Sequence, residues 1–311
     1  MRKVLFIICP NGLGHLIRSI YIINNLKNYN FTICCSTSHQ KIILDQKLIR
    51  KNIKIFTYLN SQNLKKNLAK ISTWDKNLKK KFLDRFDKIV SDNLVSKLFD
   101  GRNVLLISNF LWSEINKNLI SKYRRIEKKF ISNQKNILLT NKCFSSINIK
   151  KKNIKKIDFT FKQYQVSKKK IQDRFLSKKI LLHISNNDLE FIDFNFFHKK
   201  GYKFFSFRKL EEKKIKKFNN NFSNISFIIC NLGMGSIFDA IQYKIPLLIL
   251  KKNYDYDFEL KNNLKLVRYY NICFDVEDIK KYKMHNYIHL ISNFNKFKFA
   301  GLEQFNKYLS K

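Results

Sequence analysis

Acidic residues are scarce: 23 Asp and Glu stand against 62 Lys and Arg in 311 residues, a formal net charge of +39. An excess of that size points first to nucleic acid or to an anionic membrane. Yet the sequence has no zinc-finger spacing, no aromatic RNP-like strand and no K/R-G-F motif, so specific nucleic-acid recognition finds no motif to carry it. Glycine and proline are scarce too, at 7 and 2 residues. Lysine runs through every segment in company with Asn, Ile, Phe and Tyr. This is the pattern of a chain-wide drift toward residues with A/T-rich codons, which leaves a solvated basic surface, or attraction to an anionic membrane surface, as the reading of the charge.

Other absences narrow the class. The six cysteines (Cys9, Cys34, Cys35, Cys143, Cys230, Cys273) form no C-x-x-C pair and share no ligand spacing with the six histidines, which argues against structural zinc and for reduced thiols in the cytoplasm. No run approaches the ~18–20 apolar residues of a spanning helix; the longest are short, such as VLFIIC and IPLLIL. The opening MRKVLFIICPNG has the look of a signal peptide, but its apolar run is short, it lacks a small-residue cleavage site and it passes straight into a glycine loop. It is read as the first core strand.

What is present is apolar residue in quantity, 44% of the chain with 29 phenylalanines, enough for two cores of ordinary size. Short apolar strands alternate with helical stretches. Strands are expected at 3–9, 31–36, 53–58, 88–92, 103–108 and 136–140, with helices at 15–27 and around 76–86. A polar stretch, 142–178, reads as the connection. A second alternation follows, with strands at 179–185, 202–207, 225–230 and 246–250, helices from near 235 and over 256–269, and a helical tail. Strands apolar on both faces suit a parallel sheet covered on each side, so the expectation is α/β with two doubly wound domains, 1–160 and 161–311, the last helix returning to the first domain.

Two strand-to-helix joints carry the chemistry. In CPNGLGHLIRSIYIINNL (9–26), Gly12 and Gly14 follow a strand and His15 opens a helix, a place where free N–H groups and the helix dipole favour an anion. Ile17 occupies the third position of G-x-G-x-x-G and no acidic residue ends the next strand, so a dinucleotide fold fails its own context. His15 sits where open α/β sheets place ligands, as a functional residue or as a cap. Arg18, one turn on, faces either an anion or a carboxylate.

The second joint is ICNLGMGSIFDAIQYKIPLLIL (229–250). Gly233, Gly235 and Ser236 present N–H groups and a hydroxyl to phosphate oxygens, and Asp239, one turn further, reaches the vicinal hydroxyls of a ribose. The plain alternative is a tight turn capped by Ser236.

The segment GMGSIFDAIQYKIPLLIL resembles the G-x-G-[ST]-x-x-E-A-x-x-x-G-x-P donor signature of two-domain GT-B glycosyltransferases, especially the UDP-sugar enzymes related to the peptidoglycan N-acetylglucosaminyltransferase MurG. The opening GLGHLIRS is similar to their G-x-G-H-x-x-R loop, and NYDYDFELKNNL (253–264) to their Q-x-x-N-A element. The resemblance spans both halves and implies two Rossmann-like domains facing across a cleft. It further implies that Gly233, Gly235 and Ser236 cradle a donor pyrophosphate, that Asp239 in place of the usual Glu binds the ribose, that Glu259 and Asn262 serve the donor sugar, and that His15 acts on the acceptor or the leaving phosphate. The chain departs from the pattern at Lys244, where the family has glycine, at Glu259, where glutamine is usual, and in NNDLE, where a glycine-rich turn is expected.

Inverting transfer needs a base for the acceptor hydroxyl and positive charge for the departing diphosphate. The base candidates are His15 and Asp92, the latter ending the strand at 88–92, where it serves equally well as a helix cap. His183 ends a strand of the second domain, as a further donor-contact candidate or as a packed strand histidine. No D-x-D motif is present, and the resemblance implies a metal-independent enzyme without a cofactor, its partners a nucleotide sugar and a glycan or lipid-linked acceptor. The rivals are a nucleotide-sugar hydrolase of the pseudaminic acid pathway type and a non-catalytic basic binding protein on the same fold. TWDKNLKKKFLDRF (73–86) is read either as a membrane-surface segment with Trp74, Phe82 and Phe86 inserted, or as an ordinary packed helix.

Overall fold

The computed structural model describes residues 1–59, 74–115, 121–212, 214–219, 221–255 and 257–311. The chain divides into two units, Met1–Phe161 with Phe299–Lys311, and Lys162–Lys298.

The first unit is built on strands β1 (Arg2–Ile7), β2 (Tyr29–Ser36), β3 (Lys54–Leu59), β4 (Lys88–Asp92), β5 (Val104–Ile107), β6 (Ile137–Asn141) and β7 (Ile154–Ile157). They pair in the order β3-β2-β1-β4-β5-β6-β7, and every pairing is parallel. The second holds β8 (Lys179–His183), β9 (Lys203–Ser206), β10 (Lys216–Lys217), β11 (Phe227–Cys230), β12 (Leu247–Ile249) and β13 (Cys273–Asp275), ordered β10-β9-β8-β11-β12-β13 and again parallel throughout. Strand order reverses between β1 and β4 in one sheet and between β8 and β11 in the other. Such reversals open a crevice at the carboxyl ends of the two strands, because the connecting helices leave to opposite faces.

The period-2 geometry of β1 explains its unbroken apolar run. Leu5 and Ile7 belong to a cluster with Trp74, Trp112 and Tyr123 on one face, whereas Val4, Phe6 and Ile8 pack on the other with Leu16, Ile20 and Ile23 of the helix Gly12–Asn25. The tail helix Gly301–Leu309 joins that second cluster through Phe305 and Leu309. Its entry is tight. The Gly301 N–H donates to the Phe159 carbonyl at 3.0 Å, and a Cβ at Gly301 would lie 2.2 Å from the Asp158 carbonyl oxygen.

Several expectations need correction. The stretch taken as a connection contains the edge strand β7 and the helix Lys168–Ser177, and two further short strands, β10 and β13, were not anticipated. The segment 73–86, read either as a membrane-surface element or as a packed helix, holds only the helix Lys80–Leu83; Thr73 lies outside the described residues, as does Tyr256 at the start of a later expected helix that runs Phe258–Tyr269. Trp74 is 1% exposed with its indole N–H donating to the Val95 carbonyl at 2.7 Å, and Phe82 and Phe86 pack against the core. Those aromatic side chains are committed to the interior and are not available to a bilayer. No helix among the described residues is long and apolar enough to cross a membrane.

Candidate functional site

In the first unit the site forms at the order reversal. The helix Gly12–Asn25, which begins at Gly12 and includes Gly14 in its first turn, starts four residues after β1 ends and has no acidic residue in that turn. Asp92 is the last residue of β4, whose Ser91 pairs with Ile7 of β1. The carboxylate of Asp92 is thereby brought to His15, Arg18 and Ser19, three residues on the first two turns. Ser19 Oγ donates to it at 3.0 Å, His15 Nδ1 lies 2.8 Å from Oδ1, and Arg18 Nη2 donates to the same oxygen.

Asp92 is 0% exposed. Burial alone would push its carboxyl up, but the charges of Arg18 and His15 and their hydrogen bonds outweigh that and hold it below the usual carboxylate range. An ionised carboxylate only accepts, so Nδ1 of His15 carries a proton, and whenever the imidazole is neutral Nε2 is the acceptor nitrogen. The His15 side chain retains 19% of its surface while Asp92 retains none. Of the two base candidates, then, only His15 presents an atom to solvent. Asp92 is not a helix cap either: the short helix Lys97–Phe99 is capped by Ser96. Arg18 takes the carboxylate partner of its two alternatives. Ser19 was not anticipated; its spacing of four from His15 is the signal that marks it as a neighbour on that face.

In the second unit β11 ends at Cys230, Leu232 turns with φ +59°, and Gly233 caps the helix Met234–Tyr243, which contains Gly235 and Ser236 in its first turn and no acidic residue there. No side chain caps this helix start. A Cβ at Gly233 would meet nothing within 4 Å, so the missing side chain leaves open space over the loop and meets no packing need of the protein.

His183, at the end of β8, brings Nδ1 to 2.9 Å from Ser236 Oγ and 3.9 Å from Asp239 Oδ2. Burial, reinforced by the charge of Arg208, pushes its pKa down to about 4, and Nε2 is buried without a partner. The half-exposed ring of Phe207 lies 5.1 Å from the imidazole. Burial pushes Asp239 up to about 7, although its side chain keeps 31% of its surface. A neutral His183 supplies no compensating charge, so the carboxyl of Asp239 keeps its proton to a higher pH than an exposed one does.

The departures from the donor pattern have local explanations. Lys244 sits at φ 53°, ψ 54° as the left-handed cap that ends its helix, the conformation for which glycine is otherwise chosen, and its Nζ donates to Asn295 Oδ1 at 2.7 Å. The NNDLE stretch forms the short helix Asn186–Phe191, and Asp188 accepts from Ser185 N–H at 2.9 Å, from Asn231 Nδ2 at 2.5 Å and from Lys252 Nζ at 2.6 Å. This cluster at the ends of β8, β11 and β12 was not legible in the sequence, because Asp188, Asn231 and Lys252 are 21 to 64 residues apart. Glu259 and Asn262 are half-buried on the helix Phe258–Tyr269. The side chain that reaches the glycine loop is the next one: Asn263 Nδ2 donates to the Leu232 carbonyl at 2.9 Å.

Among the described residues there is no group of three or more His, Cys, Asp or Glu arranged to hold a metal ion. Burial pushes the thiols of Cys35, Cys230 and Cys273 up to about 12, so they are unreactive core residues.

No protein-family model and no curated protein sequence matches the chain. Its fold, however, is shared with solved glycosyltransferases along almost the whole length. A UDP-glucosyltransferase from Polygonum tinctorium superposes with TM-score 0.67 at 10% identity, covering 100% of this chain and 99% of that one. Arabidopsis thaliana UGT89C1, solved with UDP, gives 0.62 at 13% identity over 96% and 94%. MurG from Acinetobacter baumannii gives 0.57 at 9% identity over 98% of each. Two parallel doubly wound sheets, each with its strand-order reversal at a glycine joint, make this a chain of the GT-B glycosyltransferase fold.

Proposed function

We propose that the protein is an inverting, metal-independent glycosyltransferase. It moves a hexosyl or N-acetylhexosaminyl group from a nucleotide diphosphate sugar, UDP-linked, to a hydroxyl of a glycan or lipid-linked acceptor in surface polysaccharide synthesis. The observation that carries the reading is the His15–Asp92 pair, an imidazole oriented by a fully buried carboxylate with Nε2 left as the acceptor atom.

The acceptor O–H gives its proton to Nε2, its oxygen forms the new bond to the anomeric carbon, and the bond from that carbon to the diphosphate breaks. Asp92 stabilises the imidazolium that results. The diphosphate leaves with its added negative charge toward the N–H groups opening the helix Met234–Tyr243 and the Ser236 hydroxyl, which act as the positive partner in place of a metal. Asp239 accepts from the ribose hydroxyls, a role that suits a carboxyl lacking a cation of its own. Glu259 and Asn262 serve the sugar. Attachment to an anionic membrane at its cytoplasmic side rests on the +39 net charge.

The same dyad activates water equally well, so a nucleotide-sugar hydrolase is the second reading. Calorimetric titration with UDP, GDP and CMP, on the wild type and on Asp239→Ala, tests the donor site. Saturable UDP binding lost in the variant supports it; well-folded protein that binds no nucleotide rejects it in favour of a binding protein on a transferase fold. Release of free sugar without acceptor would identify the hydrolase.

A further inference from the structure

Leu232 is the one apolar residue at positive φ among the described residues; the other non-glycine positions of this kind are Lys47, Asn93, Lys178, Lys244 and Asn271. A left-handed conformation brings Cβ against the following carbonyl, a strain which Asn offsets by local hydrogen bonding and Leu does not. Here the strained residue is fully buried and stands directly before Gly233, between the last residue of β11 and the helix cap. Strain of this kind persists only where surrounding structure over-determines it.

The surrounding structure is Asn263. It lies in the second turn of the helix Phe258–Tyr269, whose start is held by Asp257 Oδ1 accepting from the N–H groups of Glu259 and Leu260. Asn263 is 1% exposed and its Nδ2 donates to the Leu232 carbonyl at 2.9 Å. That carbonyl lies beyond the last paired residue of β11, Cys230, so no neighbouring strand supplies its donor, and on a fully buried residue it requires one. The same peptide unit supplies the N–H of Gly233 on its other side. One hydrogen bond thus sets the plane of the peptide that leads into the loop.

We propose that Asn263 is a positioning residue of the donor site: by holding Leu232 left-handed it aims the N–H groups that open the helix Met234–Tyr243 at the diphosphate. It touches no substrate atom. This inference rests on the donor-site reading above and assigns it a residue that no sequence motif marked. An anion at the Gly233 N–H polarises the 232–233 peptide and strengthens the bond from Asn263, as serial hydrogen bonds do.

The test compares UDP with uridine on the whole protein. Asn263→Ala and the volume-conserving Asn263→Leu both remove the donor. Each is expected to weaken UDP about tenfold or more, as a small misplacement of a binding group does, while uridine, which lacks phosphates, binds as to the wild type. A purely structural role would weaken both ligands together, and that result, or unchanged UDP binding, overturns the proposal. Should neither variant fold, the wild type decides. Its Asn263 carboxamide proton resonance, followed by NMR, is expected to shift downfield on addition of UDP and not of uridine, and an unmoved resonance overturns the proposal. Wild-type protein that binds no nucleotide diphosphate at all rejects instead the donor-site reading on which this one stands.

Discussion

His15 and Asp92, 77 positions apart in the chain, are joined by a 2.8 Å contact in which only the histidine reaches solvent. In the proposed transfer the two groups divide the chemistry between them: the imidazole presents the basic nitrogen and the carboxylate selects which nitrogen that is.

Replacing His15 by Ala therefore removes the proton acceptor but no part of the nucleotide joint. Turnover is expected to fall about 10²–10⁴-fold with the UDP dissociation constant unchanged, measured by UDP release alongside calorimetry. EDTA is expected to leave the wild-type rate unaltered.

Asp92→Asn keeps the shape and removes the charge. The amide donates to Nδ1 as readily as it accepts, so the basic lone pair is lost from Nε2, and Arg18 is left buried opposite a neutral group. A rate loss comparable to that of His15→Ala is expected, with destabilisation of about 3–5 kcal/mol in urea unfolding. Arg18→Met in the same background should recover part of that stability and none of the rate.

Asp239 and His183 impose opposite pH slopes within one window. The folded pKa of Asp239 is raised from 3.8 to about 7, so between those values the folded state binds more protons than the unfolded, and stability falls as pH rises. The folded pKa of His183 is lowered from 6.5 to about 4, so in its window the folded state binds fewer, and stability rises with pH. The two largely cancel in the wild type. Asp239→Asn is expected to gain stability relative to wild type from pH 4 to 7.5 by about 1–2 kcal/mol, the linkage value reduced for a carboxyl that is part-exposed, while losing UDP affinity. His183→Gln should leave the downward slope of Asp239 uncovered. Denaturant titrations across that range check both.

Lys244 occupies a glycine conformation at a helix end. Lys244→Gly is expected to change stability by no more than about 1 kcal/mol, because relief of the left-handed strain offsets loss of the bond to Asn295. Lys244→Ala keeps the strain and loses the bond, and should be the less stable of the two in thermal melts.

Gly301→Ala is expected to be among the most damaging substitutions in the chain. Its Cβ would stand 2.2 Å from the Asp158 carbonyl oxygen and 2.6 Å from that of Phe159, both backbone atoms of the first unit. A loss of about 3 kcal/mol or more is expected, read as a lowered melting temperature, because the tail helix must move off the cluster that receives Phe305 and Leu309.

The central strands were legible because a parallel strand covered on both faces leaves an unbroken apolar run, as in VLFI of β1 and FIIC of β11. The edges were not. IKKI, KK and CFD are short and less buried than the central strands, and nothing in their composition separates them from loops. The aromatic stretch around Trp74 kept two readings open for a related reason: the spacing that suits a membrane face also suits packing, and the position of Val95 and the neighbouring core decides for packing.

By itself the sequence determined the local events: two glycine joints after apolar strands, a histidine on the first turn of one helix, and a serine and an aspartate one turn apart on another. These depend on φ/ψ preferences and on side-chain periods of two and 3.6, which are properties of neighbouring residues. Only the tertiary structure decided which carboxylate orients His15, that Arg18 serves that carboxylate, that His183 meets Ser236, and that Asn263, not its neighbour Asn262, holds the glycine loop. Each of those pairings is made by the order in which parallel strands lie beside one another, and that order is set by burial of both sheet faces across long stretches of chain, so no short motif contains it.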